Sequence, residues 1–262
     1  MPEEQPGSNM HPSFMGVIRQ KERLREKLGN IKHRIGIYSA KGGVGKTTIA
    51  VNLAYALSRK GFRVGLLDAD IDTPNVPLFL GITEKMDTSS LPLRPLEKNG
   101  VKVASTALVV DDIKRPIIWR GPIIVKMLGD FFENTEWGEL DYLIIDLPPG
   151  TSDSPLTIMQ VLELNGFIIV TTPQKIAAVN SIRSGLMAKR LNVSVLGIIE
   201  NMSEESVSDN TKEVMKTLET TLLGTIAFDR KFNEYSDSGK VPVIEDAETA
   251  RLFDGIIENI GR

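Results

Sequence analysis

The stretch YSAKGGVGKTT, Tyr38 to Thr48, constrains the fold most, because of what flanks it. Ahead of it, RIGIYS is a short strand candidate. Behind it, TIAVNLAYALSRKG repeats Ile49, Leu53 and Leu57 every four residues and closes on Gly61, as a helix with a C′ glycine does. A strand, a glycine-rich loop and a helix N-terminus in that order make an anion site. Backbone N–H groups converge on phosphate, and the helix dipole adds to them. Gly42, Gly43 and Gly45 let the backbone curl without Cβ clashes. Lys46 would reach the β- and γ-phosphates of a nucleotide, and Thr47 would hold Mg²⁺ through its hydroxyl.

The alternation continues down the chain. RVGLLDA, YLIID, GFIIVTT and VSVLGIIE are apolar runs of the kind buried on both faces of a parallel sheet. Between the last two, KIAAVNSIRSGLMAKRLN reads as a crossover helix. The pattern predicts an α/β fold, a mostly parallel twisted sheet with helices on both faces, in three layers. No internal repeat or second domain is visible. Residues 1–16, rich in Pro, Gly and Ser, read as a flexible tail, and residues 17–30 as a helix with Ile18, Leu24 and Leu28 roughly in phase. Residues 31–262 read as one domain built around the phosphate loop.

In such sheets ligands sit beyond the carboxyl ends of the strands, and polar residues follow the strands here. Asp68 and Asp70 end one buried run and Asp146 another. A carboxylate there is costly without a partner or a task. Asp70 would orient or activate an attacking water, or else cap the next turn. Asp68 would belong to the polar network around it. Asp146 would hold a water on Mg²⁺. Pro148, Pro149 and Gly150 form either a plain turn or a stiff one able to respond to a γ-phosphate as a switch.

Composition narrows the alternatives. The net charge of −3 gives no electrostatic reason to expect nucleic acid or an anionic membrane. The 262 residues contain no Cys and two His, His11 and His33, so neither a thiolate site nor a multi-histidine metal site is expected. No apolar run approaches the roughly 18 residues of a membrane span, and the N-terminus lacks a basic-then-apolar signal pattern. A cytoplasmic protein is the expectation.

The loop resembles the deviant Walker A motif, x-K-G-G-x-G-K-[ST], in which the first position, here Ala40, need not be glycine. IKHRIGIYSAKGGVGKTT, GLLDADI…P, IIWRGP, EWGELDYLIIDLPPGTSD, VTTPQ and VLGIIENMS stand in the order of the Mrp/ApbC/Nbp family of P-loop ATPases, which are MinD-like and of the SIMIBI class. They span residues 31–203. WRGP and WGELDYLIIDLPPGT are the most specific, since related MinD and ParA proteins lack them. The resemblance implies ATP and Mg²⁺ as cofactors, bound by Ala40 through Thr48, including Val44 and Thr48 themselves. It implies a homodimer with ATP at the interface, in which Lys41 crosses to the γ-phosphate of the partner's nucleotide. Read from its position alone, Lys41 is otherwise a solvent lysine. Asn201 would hydrogen-bond adenine, and IAFDRKFNEYSDSG resembles a late family segment whose usual proline is Ala227 here.

One departure matters. The family usually follows its N-M-S segment with Cys-x-x-Cys, which holds a bridging [4Fe–4S] cluster between two subunits. Here the stretch runs NMSEESVSDNTKEVMKTLETTLLG, and Ser203, Ser206 and Ser208 are not iron–sulfur ligands. No cluster is expected. Residues 203–222 should form a short linker and a helix over Thr211–Leu222, with Val214, Leu218 and Leu222 at four-residue spacing. An ATP-hydrolysing dimeric switch acting on an unknown protein client is the main reading. Iron–sulfur cluster carriage, as the cysteine-free half of a hetero-oligomer, is the alternative. A MinD-like membrane positioner would need a basic amphipathic tail, whereas the C-terminal segment sets Glu248, Asp254 and Glu258 against Arg251 and Arg262. That favours core packing over stable membrane association. A scaffold without turnover would not require Lys41, Lys46, Thr47, Asp70 and Asp146 together.

Overall fold

Long unbroken runs of Val, Ile and Leu leave a strand no polar face to offer water, so each must be covered on both sides. The computed structural model shows this for residues 24–109, 121–150, 153–204 and 206–261, the part of the chain it describes. Strands β1 (Ile31–Tyr38), β2 (Val64–Asp68), β3 (Leu96–Lys98), β4 (Val101–Ser105), β5 (Leu140–Asp146), β6 (Gly166–Thr171), β7 (Val195–Ser203) and β8 (Leu222–Ala227) form one sheet. Their order is β3-β4-β2-β5-β1-β6-β7-β8. Among the described residues only the edge hairpin β3–β4 is antiparallel; the other pairings are parallel.

The expected α/β architecture is therefore present. Helices α1 (Lys46–Arg59), α2 (Val76–Phe79), α3 (Gly121–Asn134), α4 (Asp153–Val161), α5 (Lys175–Arg190), α6 (Asp209–Leu218), α7 (Lys231–Asp237), α8 (Pro242–Glu245) and α9 (Ala247–Ile260) connect or follow the strands. β2 and β6 are buried at every position, as their continuous apolar runs require. α1 is buried from Ile49 through Leu57 and lies under β2 and β5. α9 buries Phe253 and Ile256 against β8 and α1, the packing expected of the C-terminal segment. Among the described residues no helix is long and apolar enough to cross a membrane.

Three expectations about segments meet a different outcome or none. The helix expected over Thr211–Leu222 is Asp209–Leu218. It starts at Ser208, whose hydroxyl accepts the Thr211 N–H, and stops where Glu219 turns left-handed at φ 48°. Leu222 opens β8 instead: its spacing to Leu218 imitated a helical repeat, but Thr220 and Thr221 favour extended backbone. The expected helix over 17–30 is helical at residues 24–29. The tail 1–16, residues 17–23, Trp119 and Arg120 of the WRGP segment, and Arg262 lie outside the described residues.

Candidate functional site

The site is assembled where β1, β5 and β2 end side by side. After Tyr38 the chain leaves β1 through Ser39 and Ala40, curls over Gly42–Gly45 and enters α1. Gly45 has φ 84° at the start of that helix, a left-handed conformation that glycine takes freely. A Cβ there would also run into the side-chain amide of Asn201. That amide, at the end of β7, donates to the Val44 carbonyl at 2.8 Å. Glycine at 45 thus permits the close approach of β7 to the loop. α1 has no acidic residue in its first turn and no side-chain cap, so nothing from its own first turn competes with an anion for its first N–H groups.

Lys46 and Thr47, in the first turn of α1, both reach Asp146 at the end of β5. Lys46 Nζ lies 2.5 Å from Asp146 Oδ1, and Thr47 Oγ1 donates to Asp146 Oδ2 at 2.6 Å. The pair is almost wholly buried. Asp68 stands opposite Asp146 across the β2–β5 ladder. Its carboxylate accepts from Asp70 N at 3.2 Å, Val76 N at 3.1 Å and Ser105 Oγ at 3.2 Å. Burial, and then the charge of Asp146, push the Asp68 carboxyl well above its ordinary range. Asp70 accepts from Thr73 N and Thr73 Oγ1, both at 3.1 Å. Burial raises its pKa too, against the pull of Lys46.

A cavity of about 270 Å³ opens above these groups, lined by Gly42, Gly43 and Gly45, Lys46, Thr47 and Thr48, Asp70 and Pro149 among others. The structure thus brings together most of the residues singled out in the loop and after the strands. It leaves Lys41 outside. That side chain is exposed and donates to Gln174 Oε1 at 3.0 Å, at the start of α5. Asn201 sits behind the loop, and Pro148 and Gly150 belong to the turn that leaves β5. Ser39, Thr73 and Asn75 also line the cavity and were not anticipated. They are small polar residues in loops, with no spacing to mark them.

The loop that stands where the family's cysteines would be expected is closed on itself. Glu200, buried in β7, accepts from Ser203 Oγ at 2.8 Å, from Ser208 N at 3.1 Å and from Ser208 Oγ at 2.5 Å. Ser203 Oγ also lies 3.1 Å from the Ser206 carbonyl. Among the described residues no group of three or more His, Cys, Asp or Glu side chains could hold a metal ion. With no cysteine anywhere in the 262 residues, these side chains do not fit an iron–sulfur cluster.

A mostly parallel sheet with a glycine-rich loop, a buried lysine and a hydroxyl turned to a strand-end aspartate defines a P-loop NTPase. Residues 30–261 match the ParA family model described as NUBPL iron-transfer P-loop NTPase, and the chain belongs to that family. An iron-sulfur cluster carrier protein of Methanocaldococcus jannaschii is 41% identical over 270 residues, covering 97% of this chain and 93% of the relative. The iron-sulfur cluster transfer protein NUBPL of Dictyostelium discoideum is 39% identical, covering 85% of this chain and 73% of its own length. Among solved structures, a nucleotide-binding protein of Archaeoglobus fulgidus in complex with ADP aligns with TM-score 0.73 and 34% identity, over 86% of this chain and 93% of that one. The MinD septum-site protein of Pyrococcus horikoshii shares the fold, with TM-score 0.64 and 23% identity over 88% of this chain and 96% of its own.

Proposed function

We propose that the protein binds ATP with Mg²⁺ and hydrolyses it as a homodimeric switch that acts on a protein partner. The observation that carries the reading is the convergence of Lys46 Nζ and Thr47 Oγ1 on Asp146 at the floor of a cavity that also takes in Asp70. The ADP bound to the Archaeoglobus relative supports the choice of an adenine nucleotide. Thr47 Oγ1 and Asp146 are hard oxygen donors suited to Mg²⁺, which would neutralise charge on the phosphates. Lys46, on a rigid helix, holds the β- and γ-phosphates, and the N–H groups of Gly42–Thr48 cradle them. Asp70 orients the attacking water, with Thr73 fixing its carboxylate. Asn201 holds the base beside the loop. Lys41 reaches across the dimer to the partner's γ-phosphate and adds positive charge where the transition state spreads negative charge. The Pro148–Gly150 turn responds to the γ-phosphate, with Asp68 holding the loop that carries Asp70.

The names of the relatives favour a second reading, carriage of an iron–sulfur cluster as cargo. These 262 residues supply no thiolate for it, and soft cluster chemistry does not accept hydroxyls and carboxylates in their place. Within that reading the chain drives the ATPase cycle while a cysteine-bearing partner holds the cluster. Steady-state phosphate release from the purified chain with ATP and Mg²⁺ tests the first reading: turnover lost in Asp70→Ala supports it, and no turnover in the wild type refutes hydrolysis. Iron and sulfide analysis after anaerobic reconstitution tests the second.

A further inference from the structure

Tyr38, the last residue of β1, carries a hydroxyl that the phosphate site does not use. Its ring is 2% exposed and stands edge-on to Phe167, with centroids 5.8 Å apart at 85°. Its oxygen lies 2.6 Å from the Gly150 carbonyl and 2.7 Å from Ser184 Oγ. The protons can be assigned. A carbonyl only accepts, so the single phenolic proton goes to Gly150, and Ser184 supplies the proton of the second bond. Burial raises the Tyr38 pKa, which keeps that proton in place.

Gly150 ends the turn after β5 whose Pro149 lines the cavity. It is held from both sides: its N–H donates to the Ser39 carbonyl at 3.0 Å while its carbonyl accepts from Tyr38. Its φ of 105° is open to glycine alone, although a Cβ would meet nothing within 4 Å. Gly150 is therefore held by its backbone conformation and these two bonds rather than by side-chain packing. Ser184 lies on the buried side of α5, and Gln174, just before that helix, accepts from Lys41. α5 thus touches both parts of the site that a γ-phosphate would move: the turn, through Ser184 and Tyr38, and Lys41, through Gln174.

We propose that Tyr38 is a positioning residue that ties the Pro148–Gly150 turn to α5, so that turn and helix shift together as the nucleotide changes. The inference rests on the switch reading for its purpose, but the link itself is testable without nucleotide. In the full chain, Tyr38→Phe keeps the ring and removes the hydroxyl. Amide hydrogen exchange should then speed up about tenfold at Gly150, the equivalent of one lost buried hydrogen bond, while Leu147 keeps its wild-type rate. Ser184→Ala should act in the same direction but less. With ATP, Tyr38→Phe should lower kcat about tenfold and leave KM within about twofold. The double variant should be no worse than Tyr38→Phe alone, because Ser184 acts through Tyr38. Unchanged exchange at Gly150 overturns the proposal. So do a rise in KM with kcat intact, effects that multiply in the double variant, or exchange that rises uniformly over β1 and α5 as in general loosening. If the wild type hydrolyses no ATP, only the hydrolysis reading falls, and exchange at Gly150 still decides the link.

Discussion

Two lysines five residues apart have opposite surroundings. Lys46 is buried against Asp146, whereas Lys41 is exposed beside Gln174. Their substitutions should therefore separate binding from chemistry. Lys46→Ala should abolish ATP binding, because the phosphates lose their main fixed charge, and titration calorimetry reads this directly. Lys41→Ala should bind ATP nearly as the wild type does but hydrolyse it roughly 10³-fold more slowly, the scale of a finger-type charge. Hydrolysis at the wild-type rate in Lys41→Ala would sink the proposed role. Gly45→Ala forces a left-handed backbone on an L residue and drives its Cβ into Asn201. It should cost roughly 1–3 kcal/mol of stability and displace Asn201, which thermal melts and nucleotide titration together would show. At this scale the loop was legible in the sequence because all its members are neighbours along the chain. Tyr38, Gln174 and Ser184 were not, because each acquires its contact only when distant strands and helices meet, and Thr73, three residues after Asp70, was not because a loop residue has no periodicity to mark it.

The β7–α6 connection shows what holds this element in a chain without cysteine. Glu200 receives Ser203 and Ser208, and Ser208 also caps α6. Burial disfavours its charge, but the hydrogen bonds from Ser208, Thr211 and Ser203 outweigh that and lower its pKa. For a carboxyl with a depressed folded pKa, the stabilisation is full above the unfolded value of about 4.3 and fades as pH falls through the folded value. Glu200→Gln replaces an acceptor with a donor facing donors, and should lose roughly 1–3 kcal/mol at neutral pH. The gap between the two melting temperatures should be full above the unfolded value of about 4.3 and narrow as pH falls below it through the lowered folded value. A gap that does not change at all as pH is lowered into the acid range would mean that the carboxylate charge is not what secures the loop. Elements of this kind were the hardest to read from sequence. β2, β5 and β6 declare themselves by continuous apolar runs. β3 and β8 lie at the sheet edges and keep exposed or half-buried positions, so their patterns are diluted. α6 was placed on the right segment but run on into β8, since a four-residue repeat cannot reveal a left-handed stop at Glu219.

For the whole molecule, the question is whether one chain completes its own site. The cavity takes in Lys46, Thr47 and Asp70 from one chain, and Lys41 points out of it toward Gln174. If Lys41 serves the partner's nucleotide, two differently crippled chains should rescue each other. A dimer of Lys41→Ala lacks the crossing charge at both sites, and a dimer of Asp70→Ala lacks the water-orienting carboxylate at both. In a mixed dimer, the nucleotide on the Lys41→Ala chain keeps its own Asp70 and receives Lys41 from the Asp70→Ala chain. One of its two sites is then complete. Equal mixing makes half of the dimers mixed, so about a quarter of wild-type hydrolysis should return from two chains that are nearly inert alone. Rescue should scale with the mixed fraction, which differently tagged chains can measure by co-purification. No recovery with mixing confirmed would show that each chain acts on its own nucleotide, and Lys41 would then be a surface lysine whose partner is Gln174.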